Sequence, residues 1–156
     1  MIAGLSLEEG DRAFDWIANQ FILPSGRPDI LERFHHHRDQ GHAVVIVSGS
    51  LTPVLERISV QLNATGFVGT RLEVKENRYT GRTLEPIIIG EAKDEQTRRF
   101  FAQKELTIDW DNSYAYADSF HDLSLFELVG NPVAVYPDPA LHKLALNRNW
   151  EIIGKR

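Results

Sequence analysis

From Ser113 to Ile153 the chain alternates short apolar runs with amphipathic ones: "SYAYA", "DLSLFELV", "PVAVY", "PALHKLALNRN" and "WEII". Strand, helix, strand, helix, strand in that order leaves few folds open. Parallel neighbours need a long crossover, and the crossover helices then cover the faces of the sheet they connect. The run "AVVIV", Ala43 to Val47, fits the same picture, because it is apolar throughout and β-branched from Val44 on with no polar alternation, as a strand covered on both faces should be. Thr52-Pro53 follows as an N-cap and first helical residue, with Val54, Leu55, Ile58 and Leu62 on one apolar face. The expectation is an α/β chain built on a largely parallel sheet between helices.

The first forty residues read differently. "LSLEEGDRAFDWIANQF" carries Leu7, Phe14, Ile17, Ala18 and Phe21 at mixed helical spacing, "LPSGRP" interrupts it, and "DILERFHHHRDQ" is a second helix ended by Gly41. "TRLEVKENRYTGR" reads as two extended segments flanking Glu76-Asn77, a β-hairpin projecting from the main body. A helix from about Glu91 to Glu105 comes next. There is no internal repeat, low-complexity tract or linker. With 156 residues and 42% hydrophobic content the chain can bury one ordinary core.

Charge and cysteine usage narrow the partners. Seventeen basic against 22 acidic side chains, a formal charge of -5, give no footprint for a phosphate backbone or an anionic bilayer, so no nucleic acid is expected. The apolar start is too short for a secretory core, and no stretch is long enough for membrane insertion. The absence of cysteine excludes disulfides and thiolate metal sites, and a cytoplasmic location is the default.

In open parallel sheets ligands sit beyond the carboxyl ends of the strands, where helix N-termini present their amides. "AVVIV" exits into Ser48-Gly49-Ser50, "SYAYA" exits into Asp118, Asp122 follows four residues on, and Lys93 stands in the first turn of the helix opened by "GEAK". A hydroxyl with adjacent amides, a cation and two carboxylates suit a phosphoryl group together with a hard divalent metal. Each has a plainer use. Ser119 and Asp122 match a capping box, Lys93 has Glu91 as a surface partner, and Ser48-Gly49 can be a turn. Asp118 is harder to explain away, since a carboxylate ending a buried strand needs a cation or several donors to stay charged. Lys93 also opposes its helix's macrodipole, a cost that a bound anion removes.

In that order and context the segments "HHHRDQGHAVVIVSGSLTPVL", "TRLEVKENRYTGR", "GEAKDEQ", "YADSFHDLSLFELVGNPVAVYPDPALHKLA" and "NWEII" resemble the haloacid dehalogenase-like phosphatase superfamily, in its phosphoserine-phosphatase-like branch. The resemblance covers nearly the whole chain. It implies a Rossmann-like three-layer parallel sheet carrying a β-hairpin, with residues 1–40 as the remnant of a helical cap and its linker helices and 41–156 as the core. It implies that Ser48 and the Gly49 amide bind phosphate and that Lys93 neutralises the phosphoryl oxygens and the nucleophile. Asp118 and Asp122 would hold Mg2+, Asp122 directly or through water. Two positions depart from the family's pattern: Ala117 stands where glycine is usual, and His121, where a small polar residue is usual, would crowd the metal loop.

The family attacks phosphate with the first aspartate of a D-x-D-x-[TV] segment after an apolar strand, and no such segment occurs here. "DWDNS", Asp109 to Ser113, is the nearest match, but Asp111 lies too close to Asp118 for each to end a different parallel strand, because a crossover takes about a dozen residues. Asp11 and Asp15 lie in helical pattern with no strand before them. The expectation is therefore a family member lacking its N-terminal portion and its nucleophile, which binds a small phosphorylated metabolite without hydrolysing it. Phosphoserine, another small phosphomonoester and a lysophospholipid headgroup all remain open as that ligand. Loss of the nucleophile strand would leave Ala43 to Val47 and Tyr114 to Ala117 each short of a neighbour, exposing edges for self-association or for an N-terminal fragment. Two other readings stand beside this one. A receiver-type signalling domain uses similar groups but in the opposite order along the chain, and a catalytically silent interaction protein would use the strand edges or the hairpin. His35, His36 and His37 point in different directions along a helix and cannot chelate together. Trp16, Trp110 and Trp150 read as core or loop-anchoring aromatics.

Overall fold

The computed structural model describes residues 2–85, 87–90 and 92–155. They form two compact units, Met1–Ile88 and Ile89–Arg156, and both are α/β with parallel strands.

The first unit opens with α1 (Leu7–Ile17), set by a capping box in which Ser6 Oγ accepts from the Glu9 amide at 3.2 Å and Glu9 Oε2 accepts from the Ser6 amide at 2.8 Å. A π turn over Ala18–Ile22 and a 3-10 turn over Leu23–Ser25 follow. Of the apolar residues at mixed helical spacing, Phe14 and Ala18 are buried, whereas Leu7 and Phe21 are exposed. The extra residue of the π turn shifts the side-chain phase beyond Ala18, and Phe21 packs edge-on against Trp16 instead. α2 (Pro28–Asp39) begins with proline, and beyond it Gly41 adopts a φ of +78°.

β1 (Val45–Leu51), α3 (Thr52–Leu62) and β2 (Gly66–Thr70) form a parallel β-α-β unit, and β2 is the partner of β1 among the described residues. The predicted strand, Ala43 to Val47, needs correction at both ends: it starts two residues later and continues through Ser48-Gly49-Ser50. Pairing is regular from Val45↔Gly66 to Val47↔Val68, then slips, and resumes at Leu51↔Thr70. The slip is held by Thr70, whose buried hydroxyl donates to the Gly49 carbonyl at 2.8 Å. It also needs Gly69, where a Cβ would lie 2.9 Å from the Ser50 carbonyl oxygen. Val45, Ile46 and Val47 are only half-buried, so the two-sided cover expected of this run is not complete. The cap of α3 falls on Leu51 rather than Thr52.

β3 (Leu72–Lys75) and β4 (Arg78–Thr83) make the predicted hairpin, with Glu76 and Asn77 both at positive φ as a two-residue primed turn demands. Tyr79 of β4 meets Phe14 edge to face at 5.6 Å and closes the core formed by Ala18, Val54, Leu55 and Ile58.

The second unit follows its predicted order. α4 (Ala92–Gln103) precedes β5 (Tyr114–Ala117), α5 (Leu123–Leu128), β6 (Asn131–Val135), α6 (Pro139–Arg148) and β7 (Glu151–Ile153), and the strands lie parallel in the order β5-β6-β7. β6 is central, and Val133, Ala134 and Val135 are all buried. Phe126, Leu141 and Ala145 pack on it from α5 and α6, with Trp150 alongside. β5 is an edge, hydrogen-bonded to β6 among the described residues. The connection into β6 is tight, because the Gly130 amide donates to the Trp110 carbonyl at 2.9 Å and Asn131 Nδ2 donates to the Ser113 carbonyl at 3.2 Å.

Candidate active site

In the second unit the loop after β5 carries most of the polar groups singled out from sequence. Asp118 follows the last residue of the strand and is half-buried, and its carbonyl accepts from the Asp138 amide at 2.9 Å. A 3-10 turn, Phe120–Asp122, then leads into α5.

Asp122 is buried. Its carboxylate does not cap α5, although it occupies the N-cap position; it forms an ion pair with the Lys93 ammonium. The capping-box reading is therefore overturned, and Ser119 Oγ instead accepts from the His121 amide at 3.3 Å. The two side chains of the ion pair keep 13% and 11% of their exposure, so little water screens them. Lys93 sits in the first turn of α4, where its amide donates to the Gly90 carbonyl at 3.0 Å and Ser124 Oγ donates to the same carbonyl. Glu91, the surface partner expected for Lys93, lies outside the described residues. His121 is exposed rather than packed into the loop.

Asp138 was not foreseen. It caps α6 by accepting from the Leu141 amide at 2.9 Å, and its other oxygen accepts from the Phe120 amide at 2.8 Å. One carboxylate thus fastens the loop after β5 to the start of α6. Burial works against its ionisation, but hydrogen bonds from the amides of Leu141 and Phe120, the Ser119 hydroxyl and the Ala140 amide prevail and hold the group below its ordinary value of 3.8. The signal was legible in "DPALH", an aspartate followed by proline at a helix start. Asp138→Ala is expected to cost about 1–2 kcal/mol in urea unfolding at neutral pH. Because the folded carboxyl titrates below 3.8, its contribution is complete above that pH and fades as pH falls through the lower folded value. The gap between wild type and variant should therefore close only in strong acid.

In the first unit Ser48 Oγ accepts from the Ser50 amide at 3.1 Å, and Ser48 and Gly49 are half-buried within β1 rather than in a loop beyond it. α3 starts directly after, and its N-terminus has no side-chain cap. The structure thus brings Lys93 and Asp122 together and sets Asp118 on the same loop, while Ser48 and Gly49 belong to the other unit.

The other acidic candidates have structural partners. Asp109 accepts from the Asn112 amide and side chain at 3.2 and 2.8 Å, closing the turn before β5. Asp11 and Asp15 of α1 both pair with Arg57 of α3. Among the described residues no three His, Asp or Glu side chains cluster as a metal cage. Asp118 and Asp122 lie on one loop, four residues apart. That donor set suits Mg2+, which commonly takes one or two carboxylates and fills its other positions with water or phosphate oxygens. Among the described residues no helix is long and apolar enough to cross a membrane.

Residues 1–127 match the family model of the haloacid dehalogenase-like hydrolases. The phosphoserine phosphatase SerB1 of Mycobacterium tuberculosis is 33% identical over 155 residues, covering 97% of this chain and 48% of that protein. The histidinol-phosphatase of Neisseria meningitidis serogroup C is 28% identical over 137 residues, or 86% of this chain and 62% of that protein. The chain spans about half the length of the Mycobacterium relatives it matches. A crystal structure of a protein of unknown function from Bordetella pertussis superposes with a TM-score of 0.90 at 27% identity, over 98% of this chain and 69% of that one. Apo phosphoserine phosphatase superposes with a TM-score of 0.70 at 20% identity, over 99% and 70%, a likeness of fold alone.

Proposed function

Because this chain belongs to the haloacid dehalogenase-like hydrolases, we propose that it carries the phosphate- and metal-binding part of a phosphomonoester hydrolase of the phosphoserine-phosphatase-like branch. The observation that carries this reading is the nearly buried pair of Lys93 and Asp122. A buried ammonium in the first turn of a helix opposes the macrodipole, and a carboxylate at an N-cap position that does not cap forgoes the usual use of such a residue. Both are costs in a merely structural loop. Both are useful beside a phosphoryl group and a cation.

The Ser48 hydroxyl and the Gly49 amide donate to phosphate oxygens. The Lys93 ammonium neutralises charge on the transferring group, with Asp122 keeping it oriented. Asp118 and Asp122 hold Mg2+, which when bound withdraws charge from the phosphoryl oxygens. Asp138 positions the loop that carries Asp118 without touching substrate. Residues 1–40 belong to a cap and 41–156 to the core, and the ligand is a small phosphorylated metabolite in the cytoplasm.

The intact family works in two steps, phosphoryl transfer to an aspartate followed by hydrolysis of the acyl phosphate. No aspartate here matches that nucleophile, so this chain would bind a phosphomonoester and leave it uncleaved. With p-nitrophenyl phosphate and Mg2+ the expected rate is no higher than buffer. A Mg2+-dependent rate abolished by Asp118→Asn would show that the chain holds a nucleophile and would overturn this part of the reading. The edge position of β5 among the described residues favours a second reading, a catalytically silent binding protein of the same fold, for which neither Mg2+ nor Asp118 should matter.

A further inference from the structure

α2 ends in a way that joins two histidines distant from the residues discussed so far. The Gly41 amide donates to the Arg38 carbonyl at 2.9 Å and the His42 amide to the His37 carbonyl at 3.1 Å, with Gly41 in the left-handed region. These two bonds define a Schellman motif, which brings the side chains three residues before and two after the cap into contact. That contact is usually between two apolar side chains. Here it is between His37 and His42, whose Nδ1 atoms lie 3.0 Å apart.

Two facing nitrogens at that separation act as a preset bite. With metal–nitrogen bonds of about 2.0–2.1 Å, 3.0 Å between the donors subtends roughly 95° at the ion, the cis angle of a tetragonal or octahedral centre and well short of a tetrahedral one. We propose that His37 and His42 form a two-imidazole site for a divalent transition metal of the Ni2+ or Cu2+ class, held by the capping motif of α2. Binding displaces the hydrogen shared between the two Nδ1 atoms: each ring turns so that its Nδ1 lone pair faces an ion beside the line joining them, and each then carries its hydrogen on Nε2. Three further features favour a cation there. The C-terminal end of a helix carries partial negative charge. His42 is exposed, giving access from solvent. Burial, and then the neighbouring His42, His36 and Arg33, lower the proton affinity of His37 and keep it available as a neutral ligand. Among the described residues no third His, Asp or Glu completes a cage, so the remaining positions fall to water. The consecutive histidines do not chelate with one another, as their sequence spacing requires, but one of them finds its partner across the cap.

Calorimetric titration of the whole chain with NiCl2 at pH 7.5 tests this site. One equivalent should bind, and His37→Ala and His42→Ala should each weaken it at least tenfold, while His36→Ala leaves it unchanged. Substoichiometric Cu2+ should broaden amide NMR signals around residues 36–43 in wild type and not in His42→Ala, whose dispersed spectrum also shows that the variant is folded. Unchanged affinity in His42→Ala, equal losses in His36→Ala and His42→Ala, or broadening centred on His121 or His142 would overturn the proposal.

Discussion

Lys93→Met is expected to destabilise the chain by about 3–5 kcal/mol in urea unfolding, because it leaves the Asp122 carboxylate buried without a counter-charge. Asp122→Asn should cost a similar amount from the other side, stranding the ammonium. Neither loss measures what the pair adds to stability. Removing two charges from water is expensive, and an apolar pair of similar volume often does as well. Lys93→Met combined with Asp122→Leu should therefore recover most of the loss, giving a large coupling in the double-mutant cycle. Two single variants within about 0.5 kcal/mol of wild type would mean that water reaches the pair and that it is an ordinary surface bridge.

Gly130→Ala should cost about 3 kcal/mol or more for a different reason. A Cβ at this position would lie 1.8 Å from the Asp111 carbonyl oxygen and 2.7 Å from its carbon. Both are backbone atoms, held by the turn that Asp109 and Asn112 close, so no rotamer change relieves the overlap. The approach is needed because the Gly130 amide donates to the Trp110 carbonyl just where β6 begins. The turn before β5 would have to move away from the start of β6, and β5 carries Asp118. Thermal unfolding of the alanine variant reads the loss; an unchanged midpoint would mean that the turn shifts freely.

What could be read from the sequence divides along physical lines. β6 was legible because a central parallel strand is apolar on both faces, and "PVAVY" has no polar alternation. The hairpin was legible because Glu76-Asn77 is a local turn signal. The extent of β1 was not, since it depends on Thr70 and Gly69, residues on the neighbouring strand that hold Ser48 to Ser50 extended. Which of the apolar residues from Leu7 to Phe21 are buried was not legible, because the π turn over Ala18–Ile22 that turns Phe21 to the surface has no local signal. In the candidate site, Lys93 and Asp122 were each singled out, but their partnership spans 29 positions and local reasoning offered only capping and a neighbouring glutamate. Asp138 was overlooked because an aspartate before proline at a helix start is ordinary, and its second bond, to the Phe120 amide, is long-range. His37 was considered only against its own neighbours along α2, while its partner lies beyond the cap.

The most direct measurement of the central claim is a calorimetric Mg2+ titration of the folded chain in the presence of inorganic phosphate, repeated with Asp118→Asn. Saturable binding in wild type, weakened at least tenfold in the variant while its unfolding midpoint holds, is the predicted result. Equal binding in both proteins, or none in wild type, would contradict a hard-cation site at the end of β5.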